Sequence, residues 1–157
     1  MISHHPHLTP RQRAREVAFQ FLFKYETMNS EQIGTPAQVE ADFEKHASYF
    51  SIPPEAHDFA LRLVRTTATS LKVIDDMITK HAEHWRIERL GAIEKAFLRM
   101  AVAELLYFKD VPASVTLNEV VELSKLFGEA DTPGFLNGIM DPISKEPLAL
   151  AGKVLSE

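Results

Sequence analysis

Apolar residues recur at spacings of three and four throughout, and nowhere does the chain alternate long enough to make a half-buried strand. That period constrains the fold more than any other feature, because a face repeating every 3.6 residues has to be buried as a helix. The punctuation agrees. Thr9-Pro10-Arg11-Gln12 supplies a hydroxyl for the third helical amide, a proline with helical φ and a glutamine that can reach back. Thr35-Pro36-Ala37-Gln38 repeats the device, Thr116-Leu117-Asn118-Glu119 is a third version, and Thr132-Pro133 carries half of it. Gly34, Gly128 and Pro112 read as stops. The predicted helices run near 10–28, 36–50, 54–82, 89–108, 116–127 and 133–141, with Pro142 ending or kinking the last. The stretch 83–89, around Trp85, is the expected join between an N-terminal bundle (about 10–82) and a C-terminal bundle (about 86–146). Residues 1–9 read as a flexible arm and 147–157 as a loose tail.

Several function classes drop out early. The 157 residues contain no cysteine, which removes disulfides, thiolate metal sites and a cysteine nucleophile and suits a reducing cytoplasm. Apolar stretches are interrupted too often to span a membrane, and no apolar run follows the basic residues at the start, as a signal peptide would require. A phosphate-binding glycine loop, a GxSxG turn and an HExxH pair are all missing, so no enzyme class and no cofactor is indicated. His4, His5 and His7 lie in the arm without acidic neighbours, and His81 with His84 lacks a further ligand, so no metal site is expected.

The net charge of −5 argues against a general nucleic-acid binder, but the charge is unevenly spread. Residues 1–28 hold Arg11, Arg13, Arg15 and Lys24 against Glu16 and Glu26 only. On a helical wheel Ala14, Val17, Ala18, Phe21, Leu22, Tyr25 and Met28 form one stripe. Phe19 and Phe23 fall on the opposite side, continuing the row begun by Arg11 and Arg15, while Arg13, Gln20 and Lys24 lie together nearby. Either the helix is packed on both sides, or the guanidinium groups and rings form a platform for phosphates and unpaired bases. In the fourth predicted helix Glu104 falls inside the apolar stripe and needs partners, an arginine or the amides near Thr116, because an unpaired buried carboxylate is costly.

Taken together, RQRAREVAFQFLF, LRMAVAELLYFKDVPASVTLNEVVELSKLFG and FLNGIMD resemble, in this order and spacing, the NusB family of transcription antitermination factors over roughly residues 10–142. The resemblance implies an all-α fold of two packed three-helix bundles, without β-sheet. It implies binding to the boxA element of ribosomal RNA leader transcripts together with NusE, a small-subunit ribosomal protein, and assembly with other Nus factors on RNA polymerase. It implies no catalysis and no cofactor. Carried onto this chain, the RNA-binding residues are Arg11, Arg13, Arg15, Gln20, Phe23, Lys24, Lys125, Phe135 and Asn137, and the protein-partner residues are Arg86 and Glu94. The chain departs from the pattern at Gln12, within what is often an arginine run, at Phe23 for tyrosine, at Gly134 for a polar residue, and at Pro142.

Three phosphate contacts on single-stranded RNA would give a log–log salt slope of about −2.1, a roughly twenty-fold loss between 50 and 200 mM salt. Binding that weak calls for a partner with RNA contacts of its own. The alternatives are an accessory module for an rRNA methyltransferase, or a homodimer in which Phe19 and Phe23 meet their copies.

Overall fold

The computed structural model describes residues 8–28, 34–83 and 86–155, and these are helical throughout, with no strand among them. The elements are α1 Pro10–Met28, α2 Pro36–Ala47, α3 Pro54–Thr69, α4 Leu71–His81, a 3-10 turn Ile87–Arg89, α5 Ala92–Tyr107, α6 Ala113–Phe127, α7 Thr132–Ser144 and the short α8 Pro147–Leu150. Two of the helix starts form as expected. The Gln12 amide donates to Thr9 Oγ1 at 3.2 Å while the Thr9 amide donates to Gln12 Oε1 at 3.0 Å. Thr35 and Gln38 make the same reciprocal pair at 3.3 and 3.1 Å.

The other two differ. Helix α6 begins at Ala113 behind Pro112, so Thr116 lies one turn inside and is buried. Its hydroxyl donates to Glu104 at 2.6 Å instead of capping. Thr132 is the first residue of α7, with Asp131 at the cap, and its hydroxyl donates to Glu94 at 3.0 Å. The span 54–82 is broken at Ser70, where ψ of 23° leaves the helical region after a run of Thr66, Thr67 and Thr69, all poor helix formers. Helix α7 passes through Pro142 to Ser144. Ile143 is fully buried there, and its burial offsets much of the roughly 3 kcal/mol a helical proline costs.

Helices α1, α2 and α3 form one bundle, and α5, α6 and α7 the other, with α4 lying on α5 and α7. The packing therefore moves the join from 83–89 to the break at Ser70. Residues 84 and 85, including His84 and Trp85, lie outside the described residues, as do the arm histidines His4, His5 and His7. Helix α5 sits at the centre: from Ala96 to Leu106 every residue but Arg99 is buried, as expected of a helix touched on all sides. Residues 147–154 of the expected loose tail make contacts with the fold. Ala149 is buried, the Val154 amide donates to the Lys109 carbonyl at 3.0 Å, and Lys153 Nζ donates to the carbonyls of Glu104 and Phe108 at 3.0 and 2.8 Å. An ammonium there satisfies the last carbonyls of α5 and suits its negative end.

The N-terminal bundle carries one buried titratable group with a clear consequence. His46 on α2 packs among Phe21, Phe43 and Phe50, ring centroids 5.5, 6.4 and 4.9 Å away. Burial pushes its imidazole down to about 4, with the Lys24 charge adding to the effect. A histidine kept neutral in the fold but free to protonate near 6.5 when unfolded leaves its stability contribution intact above pH 6.5 and loses it as pH falls toward 4. Denaturant melts at pH 7 and pH 5 are expected to differ by about 2 kcal/mol from this residue, and His46→Gln should remove most of that difference.

Candidate nucleic-acid interface

Helix α1 is buried on both sides because it lies between α3 and α5, and this decides the fate of its arginines. Arg15 is 2% exposed, its Nε and Nη2 donating to the two carboxylate oxygens of Glu104 at 3.0 and 2.7 Å. Glu104 thus has the arginine it needed, and the Thr116 hydroxyl as well. Arg15 therefore lies in the interior and not on the exposed row expected to meet phosphate: to reach RNA it would have to abandon a buried carboxylate, a loss of about 3–5 kcal/mol. Arg13 is also taken inward, paired with Glu16 and lying over the Phe50 ring at 5.4 Å. Gln20 is buried too. These three are removed from the exposed surface to which their side of the wheel assigned them.

Arg11 remains outside, its side chain 54% exposed, lying over Phe59 at 4.5 Å with Asp110 at 3.8 Å. Asp110 belongs mainly to Arg62, whose two donors reach it at 2.8 and 3.2 Å and hold its carboxyl below the usual carboxylate range. Phe19 is fully buried, stacked on Phe97 with centroids 3.8 Å apart and meeting Phe127 at 4.9 Å. It is a core residue, which also removes it from any homodimer contact. Phe23 is half-buried at the edge of this stack, 6.1 Å from Phe19, and Lys24 beside it is exposed. Lys125 is exposed but held by Glu122 at 2.6 Å.

The pairings fix the direction of α1. Arg15 meets Glu104, Phe19 meets Phe97, and Glu26 meets Lys95 and Arg99, so α1 and α5 run antiparallel. Phe23 therefore lies toward the amino end of α5. There a cavity of about 220 Å³ is lined by Phe135, Arg89, Gly91, Glu94 and Asp131. Phe23 and Phe135 thus sit at one end of the molecule, while Arg11, roughly 18 Å back along α1, sits at the other. The expected row of arginines leading into aromatics is split, with its middle buried.

Glu94 is half-buried, accepting from Thr132. Arg86 is exposed just before the 3-10 turn, and Asn137 is exposed on a shallow groove between α6 and α7 that Pro133 and Gly134 also line. The groove between α1 and α6 carries Glu119 and Glu122, which oppose a polyanion there. Sequence reasoning missed Arg89, which carries no motif and joins Phe135 only through the packing of α7 on α5. Among the described residues no group of three His, Asp or Glu side chains could hold a metal, and no helix is long and apolar enough to cross a membrane.

The sequence pattern of the NusB family matches residues 12–145. The chain is 39% identical over 137 residues to the transcription antitermination protein NusB of Oleidesulfovibrio alaskensis, covering 86% of this chain and 87% of that one. It is 36% identical over 141 residues to the NusB of Thermodesulfovibrio yellowstonii, covering 88% and 93%. Among solved structures it superposes on NusB of T. maritima with a TM-score of 0.76 at 34% identity, covering 88% and 92%. It also superposes on a structure of the antitermination factors NusB and NusE in complex with double-stranded RNA, with a TM-score of 0.73 at 28% identity, covering 87% and 96%.

Proposed function

Because the chain belongs to the NusB family, whose pattern spans residues 12–145, we propose that it is a transcription antitermination factor that binds boxA-type RNA together with NusE and joins other Nus factors on RNA polymerase. The observation that carries this reading is the likeness, along nearly the whole length of both chains, to a relative solved with NusE and RNA. On this reading the protein is a cytoplasmic adaptor, with no reaction of its own and no cofactor.

The RNA side consists of what remains accessible: the exposed Arg11 and Lys24 for phosphates, the half-buried Phe23 and Phe135 for bases, with Lys125 and Asn137 at the margin. The partner side is the amino end of α5, at Arg86 and Glu94. Half-exposed rings favour unpaired bases, since a duplex keeps its base faces stacked. Few free cations on an acidic chain make binding alone weak and strongly dependent on a partner.

The test is a gel-shift titration of boxA RNA with and without NusE, with a scrambled RNA and a duplex of the same sequence as competitors. Weak binding alone, much tighter binding with NusE, and poor competition by the scramble are the expected results. Arg11→Ala should flatten the log–log salt slope by about 0.7. Equal binding of boxA and scramble, indifferent to NusE, would overturn the reading.

A further inference from the structure

All nine lysines of the chain lie among the described residues, and seven of them meet a carboxylate or a carbonyl. Lys72, Lys80, Lys95, Lys125 and Lys145 pair with Asp76, Glu146, Glu26, Glu122 and Asp141, while Lys109 and Lys153 donate to backbone carbonyls of Leu148 and Glu104. The two exceptions, Lys24 on α1 and Lys45 on α2, line the same cavity of about 260 Å³ between those helices. Two ammonium groups without a carboxylate partner, lining one hollow on a chain of net charge −5, are a local anion-attracting feature.

The cavity also has an aromatic wall. Tyr49 stands at its rim and is 66% exposed, and Phe21 and Tyr25 lie below. A ring so exposed, beside unpaired cations, is the combination that single-stranded nucleic-acid binders use, the ring for a base and the cation for its phosphate. The floor includes His46, 6% exposed, whose Nε2 has no hydrogen-bond partner among the described residues. Asp42 lines the cavity as well and opposes an anion, so the phosphate belongs on the lysine side. The volume is at the small end for a ligand pocket, which suits one base and not a larger group.

We propose that this α1–α2 cavity holds a single unstacked nucleotide of the bound RNA, its base against Tyr49 and its phosphate between Lys24 and Lys45. The proposal rests on the RNA-binding reading above and extends it: Lys24 follows Phe23 in sequence, so a strand leaving the Phe23 edge turns around α1 onto α2. Lys45 and Tyr49 become RNA contacts that no motif marks.

The experiment is equilibrium binding of the full chain with NusE to boxA RNA carrying several flanking nucleotides, comparing the parent with Tyr49→Ala, Tyr49→Trp, Lys45→Ala and Asp42→Asn. Tyr49→Ala should weaken binding roughly 5-fold or more and Tyr49→Trp should restore it. Lys45→Ala should reduce the log–log salt slope by about 0.7, and Asp42→Asn should tighten binding. 4-Thiouridine placed position by position in the RNA should cross-link to the 42–49 segment at one position only. Parent binding that is lost in Phe23→Ala but unchanged in Tyr49→Ala and Lys45→Ala overturns the pocket and leaves the RNA reading standing. A parent that does not distinguish boxA from scramble overturns both. If adenosine or uridine monophosphate fills the cavity while the Tyr49 and Lys45 variants bind RNA as the parent does, the pocket is a free-nucleotide site and the proposal fails.

Discussion

Replacing Arg15 with alanine is expected to lower the stability of the protein by about 3–5 kcal/mol before any RNA is added. The variant would leave Glu104, fully buried, with only the Thr116 hydroxyl on its carboxylate. A charge that deep has no water to turn to, so the fold must protonate it, open around it or unfold. The loss should read as a lower urea midpoint with an unchanged slope. The double variant Arg15→Met, Glu104→Leu should recover most of it, because removing both charges removes the desolvation cost that one alone leaves behind. A stability loss below 1 kcal/mol in Arg15→Ala, accompanied by a loss of RNA affinity, would return Arg15 to the RNA surface. Loss of RNA binding in Arg15→Ala, measured without a melt beside it, would therefore carry no information about phosphate contacts.

The second large effect separates two phenylalanines four residues apart. Phe19→Ala empties a site enclosed by Phe97 and Phe127 and is expected to cost about 3–5 kcal/mol, a drop of roughly 6–20 °C in Tm. Phe23→Ala removes a half-buried ring with one aromatic neighbour, so its stability loss should be well below that of Phe19→Ala. Its effect belongs in RNA affinity, at roughly 1–3 kcal/mol if the ring stacks on a base. Thermal melts and RNA titrations on both variants check the pair. Equal destabilisation by the two, with no change in RNA affinity for Phe23→Ala, would place Phe23 in the core beside Phe19.

Much of the architecture was legible in the sequence, because capping and periodicity are local. The Thr9–Gln12 and Thr35–Gln38 pairs formed where the residue types placed them. Where a longer-range interaction competed, the local signal lost: Glu104 took the Thr116 hydroxyl from its capping role, and burial of Ile143 carried α7 past Pro142. The candidate site was less legible for the same reason. A helical wheel separates the core stripe of α1 from its far side but does not tell which far side meets water, and here α5 covers most of it. Only the need of Glu104 for a partner hinted that one of the arginines would turn inward. The gathering of Arg89 with Phe135 depends on helix contacts that no pattern within a single segment announces.

The antiparallel embrace of α1 and α5 bears on how the protein is made. Arg15 and Glu104 are separated by 89 positions, which a ribosome takes roughly 5–18 s to polymerise. Throughout that interval Arg15 lacks the carboxylate that will bury it, so the emerging segment is more cationic and more adhesive to nucleic acid than the finished molecule. Arrival of α5 brings Glu104 to Arg15 and quenches that stickiness, leaving Arg11 at the surface.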